Sequence, residues 1–405
     1  MAKTFNYGAG IWATKTGSSM AYNDQNDNYK PTPFSVTRDS IATRVNKQGL
    51  IEVVGKDKLR IDYTDSSNGV ALLEPSRTNN ILQSNDPSGA NWTDPLSRWT
   101  LLTDTTTAPD GGTVRIIELT ESGGSLIRLT GFSIAAATYT VSFYIKDIDG
   151  NLTGGSVDVG DEGIGAPSPA FGDVGSDWVR ATRTITTTGT KTYIDLQPTF
   201  SGSTNKVAIW GVQLEAGSYP TSYIPTSGQS GGVTRAADVA IGAGNEQVFN
   251  DSEGVLFAGV STLVSGSETR VISLSGGSQS VNNIYLNFNS SGTLSSQVLT
   301  SGGNVNLSAP IIKQTFQNKI AVKYKANDCA LWLNGFEIDT DTSISSTPTG
   351  LNRLNFDFGA GSFDFYGKTK EIGVYDTALT DAELEALTSY TSFTNMANEL
   401  NLTIK

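Results

Sequence analysis

The sequence predicts an all-β chain of two consecutive jelly-roll-like β-sandwiches preceded by an extended N-terminal anchoring segment. Three observations predict this. Glycine is abundant, at 43 of 405 residues. Short runs in which apolar and polar residues alternate recur throughout, each bounded by Gly, Ser, Thr or Asn. Long helical periodicity in Leu, Ala, Glu and Lys is almost absent. A chain of this length exceeds one ordinary core, and composition divides it into a segment 1–78, a sandwich 79–226, a linker 227–237 and a second sandwich 238–405.

Residues 1 to about 30 are polar, with the run Tyr22-Asn23-Asp24-Gln25-Asn26-Asp27-Asn28, and read as an extended arm. From Pro33 to Pro75 short apolar bursts appear: Phe34 and Val36, then Leu50-Ile51-Glu52-Val53-Val54, then Leu59, Ile61 and Tyr63. No burst is long enough for a core of its own, so the segment is expected to lie against other chains or against the next module.

Within 79–226 the clearest strand is Tyr139–Lys146, with Tyr139, Val141, Phe143 and Ile145 on one face and Thr140, Ser142 and Lys146 on the other. Segments from Trp178, Thr192 and Lys206 repeat that alternation. Pro220, Pro225 and Ser227-Gly228-Gln229-Ser230-Gly231-Gly232 have linker composition. In the last part, Lys319–Lys325 and Cys329–Leu333 form one predicted hairpin. Asn334-Gly335 then signals a type I′ turn into Phe336-Glu337-Ile338, because both central positions of that turn need positive φ. Thr380-Asp381-Ala382-Glu383 is a capping box that opens a short helix, expected to lid one end of the second sandwich through Leu384 and Leu387.

Composition also excludes chemistry. There is no histidine, so Ser-His-Asp and Cys-His nucleophile systems and the usual zinc and non-haem iron sites cannot be built within one chain. One cysteine, Cys329, allows no intrachain disulfide, and its alternation with Leu331 and Leu333 reads as a small buried hydrophobe. Formal charge is −12 without a dense Lys/Arg cluster, which argues against nucleic acid as a partner. The start, Met1-Ala2-Lys3-Thr4, runs into polar sequence, so neither a secretory signal nor membrane insertion is expected. The Asn-x-Ser/Thr triplets at Asn91, Asn151, Asn250, Asn306 and Asn401 are read as products of composition.

Two segments resemble known families. Phe34–Glu52, then Arg60-Ile61-Asp62-Tyr63, then Leu72-Leu73-Glu74-Pro75-Ser76-Arg77-Thr78-Asn79, resemble in that order a module of tailed-bacteriophage head spike or fibre proteins. The region that follows, ending in Gly211–Gly217 and Thr221–Thr226, is similar to the carbohydrate-binding-module-like sandwich that often accompanies it. Leu331–Gly335 with Lys370–Leu384 resembles the closing part of a laminin-G-like, concanavalin-A-type domain. These resemblances imply a structural virion protein, a head fibre, spike or capsid decoration, made in the host cytoplasm and located in the virion. Its N-terminal part would bind other virion proteins of capsid or tail, its sandwiches would adhere to host-surface glycans, and it would be a homotrimer. A tail-borne receptor-binding protein and a carboxylate-dependent glycan depolymerase are the alternatives.

Candidate site residues are few. Glu337-Ile338-Asp339-Thr340-Asp341 approaches a glycanase strand motif, and alternation would put its three carboxylates on one face. It directly follows a hairpin turn, however, and Asp341 stands where that pattern has glutamate, so a solvated strand face is the better reading and no catalytic residue is assigned. Among the tryptophans, Trp210 reads as core, and Trp178, after Gly175-Ser176-Asp177 at a strand edge, is the candidate carbohydrate platform. Asp158-Val159-Gly160-Asp161-Glu162 lacks the spacing of a calcium loop and reads as a solvated turn. No metal site and no cofactor are expected.

Overall fold

The computed structural model describes residues 5–7, 12–15, 18–23 and 28–400, apart from 124 and 267. These form two compact units, neither continuous in sequence. The middle unit is Ser40–Gly55 with Ser76–Ala236; the terminal unit is the described residues up to Asp39, Lys56–Pro75, and the chain from Ala237 onward. The expected separate N-terminal segment is thus divided between the two sandwiches, and the chain passes from one unit to the other at 39/40, 55/56, 75/76 and 236/237.

The middle unit has two five-stranded antiparallel sheets. One runs in the order Trp92–Thr93, Ile127–Ile134, Lys191–Phe200, Leu152–Val159, Glu162–Gly165; the other in the order Trp99–Thr107, Thr113–Leu119, Asn205–Ala216, Thr138–Asp147, Val179–Thr186. Tyr139, Val141, Phe143 and Ile145 all point into the core between them, with Leu129, Ile194, Leu196 and Val157 opposite. The predicted polar face of that strand is buried as well: Thr140 and Ser142 are 0% exposed. Two things cover this side. Ile51, from the hairpin Ala42–Val45/Ile51–Val54, joins a satellite cluster with Trp210 and Tyr223, and the stretch Tyr219–Thr226 is held down by side-chain hydrogen bonds. Gly211 sits at a bulge with φ +65, where a Cβ would press on the rings of Tyr144 and Tyr223.

Those hydrogen bonds come from the residues of the sequence motifs. Asn79 Nδ2 donates to the carbonyls of Val212 (3.2 Å) and Ile224 (3.0 Å), while its Oδ1 accepts from the amides of Ile81 (3.0 Å) and Leu214 (3.1 Å). Gln213 Oε1 accepts from Ile224 N at 2.7 Å, and Glu215 accepts from the Thr221 hydroxyl (2.7 Å) and amide (3.1 Å). The Tyr223 hydroxyl meets that of Ser84 at 2.6 Å. Part of the predicted linker is ordered with them: Val233–Arg235 pairs with Arg77–Asn79, and Arg235 is buried.

The terminal unit packs an eight-stranded sheet against a five-stranded one. The larger is ordered Phe336–Asp341, Cys329–Leu333, Asn318–Lys325, Glu253–Thr262, Gly367–Tyr375, Val70–Leu73, Arg60–Asp62, with Phe5–Tyr7 also pairing to Gly367–Tyr375. The smaller is Gly303–Ile311, Thr293–Thr300, Asn283–Phe288, Arg270–Ser275, Arg353–Asn355. Phe34, Leu59, Ile61, Ala71 and Leu73 lie in the shared core, so several apolar bursts near the N-terminus are buried within this chain. In the expected arm, Trp12–Lys15, Ser18–Asn23 and Asn28–Pro31 form a three-stranded sheet, and the buried Trp12 donates its indole N–H to the Lys370 carbonyl at 2.7 Å. Asp24 to Asp27 lie outside the described residues.

Motif charges converge in this unit too. Asp238 pairs with Arg38 (2.7 Å) and Arg60, and Arg60 pairs with Glu74 (2.6 Å), all with side chains 3% exposed or less. Burial opposes the charge on Arg60, but Asp238 and Glu74 outweigh it and raise its pKa.

Local predictions fare well. Asn334 and Gly335 have φ of +53 and +92 between the paired strands, and the Thr380 capping box is complete, with Glu383 N donating to Thr380 Oγ1 at 3.4 Å and Thr380 N to Glu383 Oε2 at 2.9 Å. The helix Asp381–Thr388 does not lid an end, however. Leu384 packs on Val255, Phe257, Ala321 and Trp332, on the face of the eight-stranded sheet away from the main core. A second helix, Phe393–Glu399, follows it.

Candidate functional site

The outward side of the first middle-unit sheet carries a compact group of charged and aromatic side chains. Register builds it. Arg128 in strand 127–134 pairs with Asp195 in strand 191–200, and Asp195 pairs with Asp158 in strand 152–159. Partners in an antiparallel ladder project on one side, so the three form a row across three strands. Ile127 and Leu129, Ile194 and Leu196, and Val157 and Val159 point the other way, into the core.

Arg128 holds Asp195 with two parallel bonds, Nε to Oδ1 at 2.8 Å and Nη2 to Oδ2 at 2.7 Å. Its guanidinium lies 3.8 Å from the centre of the Tyr193 ring. Hydrogen bonding to Asp195 raises the Arg128 pKa. Burial first, then Asp161, pushes the Tyr193 hydroxyl up to about 12. Asp158 differs from its neighbours: Oδ2 accepts from Gln197 Nε2 at 2.9 Å, while Oδ1 is buried without a hydrogen-bond partner. Burial, with repulsion from Asp195 and Asp161, pushes its pKa up to about 6.

This arrangement suits binding better than bond cleavage. Asp158 and Asp195 are each 2% exposed, so a glycosidic oxygen has no route to either carboxylate. Arg128, Tyr193, Gln197 and Thr130 remain partly exposed and offer a flat ring, N–H donors and a hydroxyl. Among the described residues no group of three or more acidic or cysteine side chains is placed to hold a metal ion.

The predicted site residues fall elsewhere. The Trp178 ring packs against the satellite cluster of Trp210 and Tyr223, and its indole N–H donates to the Thr107 carbonyl at 2.8 Å. Trp210 is core, at 2% exposure. The run Asp158 to Glu162 is no simple solvated turn: Asp158 is buried, Asp161 is exposed at φ +66, and Glu162 accepts from Thr188 N at 2.8 Å. The three carboxylates of Glu337–Asp341 do not share a face. Leu331 pairs with Asp339 but Trp332 pairs with Glu337, leaving Ile338 as a bulge. Glu337 therefore lies on the Trp332 side of the sheet, while Asp339 and Asp341 lie on the side of Leu331 and Cys329. Cys329 is buried in the main core with Leu331 and Leu333.

No family model matches the sequence, and comparison with characterised proteins gives no match. Among solved structures, the chain is similar to the CBM40 of the Ruminococcus gnavus IT-sialidase bound to α2,3-sialyllactose, at 21% identity and a TM-score of 0.31, over 37% of this chain and 94% of that one. It is also similar to a SAP-like pentraxin from Limulus polyphemus (14%, 0.29, 35% and 71%) and to domains LG4-5 of the mouse laminin α1 chain (9%, 0.25, 76% and 96%).

Proposed function

We propose that this chain is a structural appendage of a tailed-bacteriophage virion, a head fibre, spike or capsid decoration, that adheres to host-surface glycans through its middle unit. The adhesive part is carried by one observation: Arg128, clamped by Asp195 and stacked on Tyr193, sits on an outward sheet face beside partly exposed Gln197 and Thr130. Saccharides are recognised by such a pairing of an aromatic ring with fixed N–H and O–H groups. The clamp holds the guanidinium in place before ligand arrives, so little ordering cost is added on binding.

The virion part rests on the three ordered motifs between Phe34 and Asn79. Ile41 and Leu50 in the first of them and Val53 just after it stay 51%, 38% and 59% exposed, apolar surface suited to a capsid or tail protein or to a second copy of this chain. A homotrimer is the assembly we propose, and sedimentation equilibrium giving a monomer at micromolar concentration would remove it.

A glycan array probed with the full chain tests adhesion. Retention of at least one oligosaccharide is expected, with a loss of tenfold or more in Tyr193→Ala and Arg128→Ala. Equal signals from wild type and both variants would exclude this face. Labelled antibody on intact particles tests location: signal on the capsid supports the head appendage, and signal at the tail tip makes the chain a receptor-binding protein.

A further inference from the structure

A second outward face, in the terminal unit, has the opposite chemistry. The five strands Gly303–Ile311, Thr293–Thr300, Asn283–Phe288, Arg270–Ser275 and Arg353–Asn355 contain no acidic residue, and Arg270 and Arg353 are their only charged ones. Register places Ser273, Tyr285, Gln297 and Asn306 in one line across four of the strands, facing away from the core that holds Ile272, Leu286 and Leu307. The Tyr285 hydroxyl donates to Gln297 Oε1, and Ser273 Oγ and Asn287 Oδ1 on the same side are buried without hydrogen-bond partners.

A loop borders this face and ends in an exposed ring. Phe356 and Phe365 pair at its base, Phe358 N donates to the Ser362 carbonyl, and the buried Asp357 carboxylate accepts from Gly359 N (2.6 Å) and Gly361 N (2.9 Å). Phe358 stands edge-on to Tyr285 at 4.6 Å, and Phe363 edge-on to Phe358 at 6.1 Å. Phe363 is 52% exposed and has φ +58. Of the seven non-glycine residues with positive φ among those described, five are Asp or Asn, which tolerate that region, and one is the small Ser97; a bulky aromatic there is strained. Strain of this kind persists where surrounding structure enforces it, and it collects at binding sites. Here Val271 N bonded to the Phe363 carbonyl at 2.9 Å and the loop's own hydrogen bonds hold the ring out in solvent.

We propose that this face is a second glycan site, selective for neutral pyranose residues, with Phe363 and Phe358 as the stacking platform and Gln297, Asn306 and Asn287 as hydrogen-bonding partners. Two features favour a sugar over a protein segment. The exposed apolar surface at this point is two rings bordered by amides and hydroxyls rather than a broad patch, and the partly exposed Gln297 and Asn287 and the exposed Asn306 lie on the same side of the sheet. Lack of acidic residues in its strands separates it from the charged middle-unit face, on which it does not depend.

The test is an array of neutral hexose and N-acetylhexosamine oligosaccharides probed with full-length wild type, Phe363→Gly, Phe363→Asn and Tyr193→Ala. Glycine and asparagine both accept φ +58, so the two Phe363 variants are expected to melt at or above the wild-type temperature while losing tenfold or more of the neutral-glycan signal. Tyr193→Ala is expected to keep that signal. No neutral glycan retained by wild type, or full retention by both Phe363 variants, overturns the proposal. Lower melting temperatures in both variants also overturn it, because Phe363 would then be a packing residue. If Tyr193→Ala removes every signal and the Phe363 variants remove none, the middle-unit site stands and this one falls; the expected pattern, signal lost in the Phe363 variants and kept in Tyr193→Ala, establishes this site and leaves the middle-unit site to the separate array with Tyr193→Ala and Arg128→Ala.

Discussion

The two units solve one problem, joining distant segments of a discontinuous sandwich, with different chemistry. In the terminal unit the joint is ionic: Asp238 faces Arg38 and Arg60, and Glu74 completes the group. In the middle unit its centre is a neutral amide: Asn79 makes four hydrogen bonds that tie strand 205–216 to the stretch 219–226, beside a buried Glu215 carboxylate that lies 3.9 Å from Arg77. A buried ionic joint tolerates loss of one member poorly, because the remaining charges are left without compensation in a place water cannot reach. A buried amide leaves only unmade hydrogen bonds.

The largest expected effect of a single substitution follows from that difference. Asp238→Ala removes the carboxylate that Arg38 and Arg60 share and leaves one, Glu74 on Arg60, for two arginines that are 0% exposed in their side chains, so it should destabilise the terminal unit by about 3 to 5 kcal/mol in urea melts followed by circular dichroism. A loss under 1 kcal/mol would mean that water or a neighbour compensates the arginines. A fragment beginning at Ala237 should fare worse, failing to fold cooperatively. It lacks both arginines, Glu74, and the strands 60–62 and 70–73 that belong to its larger sheet. The fragment keeps its own hairpins and capped helix, so cooperative unfolding of the isolated fragment would show that the N-terminal strands are dispensable.

The middle-unit counterpart should be milder. Asn79→Ala leaves two carbonyls and two amides without their partner, and an expected loss of about 2 to 3 kcal/mol places it below Asp238→Ala. Asn79→Asp sharpens the comparison. It keeps the acceptor for Ile81 and Leu214 but turns the donor toward the Val212 and Ile224 carbonyls into an oxygen, so it should be at least as damaging as alanine. If Asn79→Asp melts like wild type, the two carbonyl contacts contribute nothing and the neutral joint is smaller than the geometry implies.

How much of this was legible in the sequence follows the range of the interaction. Alternation over Tyr139–Ile145, positive φ at Asn334-Gly335 and the Thr380 cap are settled within a few residues, and each is read correctly from neighbours alone. The strand order is not, because Glu253–Thr262 pairs with Gly367–Tyr375 more than a hundred residues away. The same limit hides the candidate sites. Arg128, Asp158 and Asp195 become neighbours only through the register of three strands, and one bulged residue, Ile338, is enough to separate Glu337 from Asp339. The motif residues at 38, 60, 74 and 79 stand out as a pattern, but their roles as buried joints require partners at 212, 214, 224 and 238. Phe363 gave no signal, since a strained φ is not written in residue type.

The smallest expected effect compares the two outward faces, of which only the middle-unit face carries a carboxylate with no partner on one oxygen. Asp158 takes up its proton near pH 6 in the folded chain, against an ordinary value of 3.8. Between those values the folded state holds a proton that the unfolded state has released, so Asp158 weakens folding increasingly as pH rises from about 4 to about 7. Asp158→Asn removes that titration and keeps an acceptor for Gln197. One pKa unit corresponds to about 1.4 kcal/mol, and the asparagine amide, itself desolvated at this buried position, recovers only part of it, for a gain of about 1 to 2 kcal/mol at pH 7.5. The gain should shrink through pH 6 and vanish near pH 4. Carboxylates whose pKa is lowered in the folded state, Glu52 and Glu162 among them, lose stability in acid in both proteins and cancel from the difference. Urea melts of wild type and Asp158→Asn at pH 4, 5, 6 and 7.5 measure it. A gap that does not change with pH, or a variant less stable than wild type at pH 7.5, would show that Asp158 is already charged and paired in the folded chain, and the charged face would then have no strained member to distinguish it.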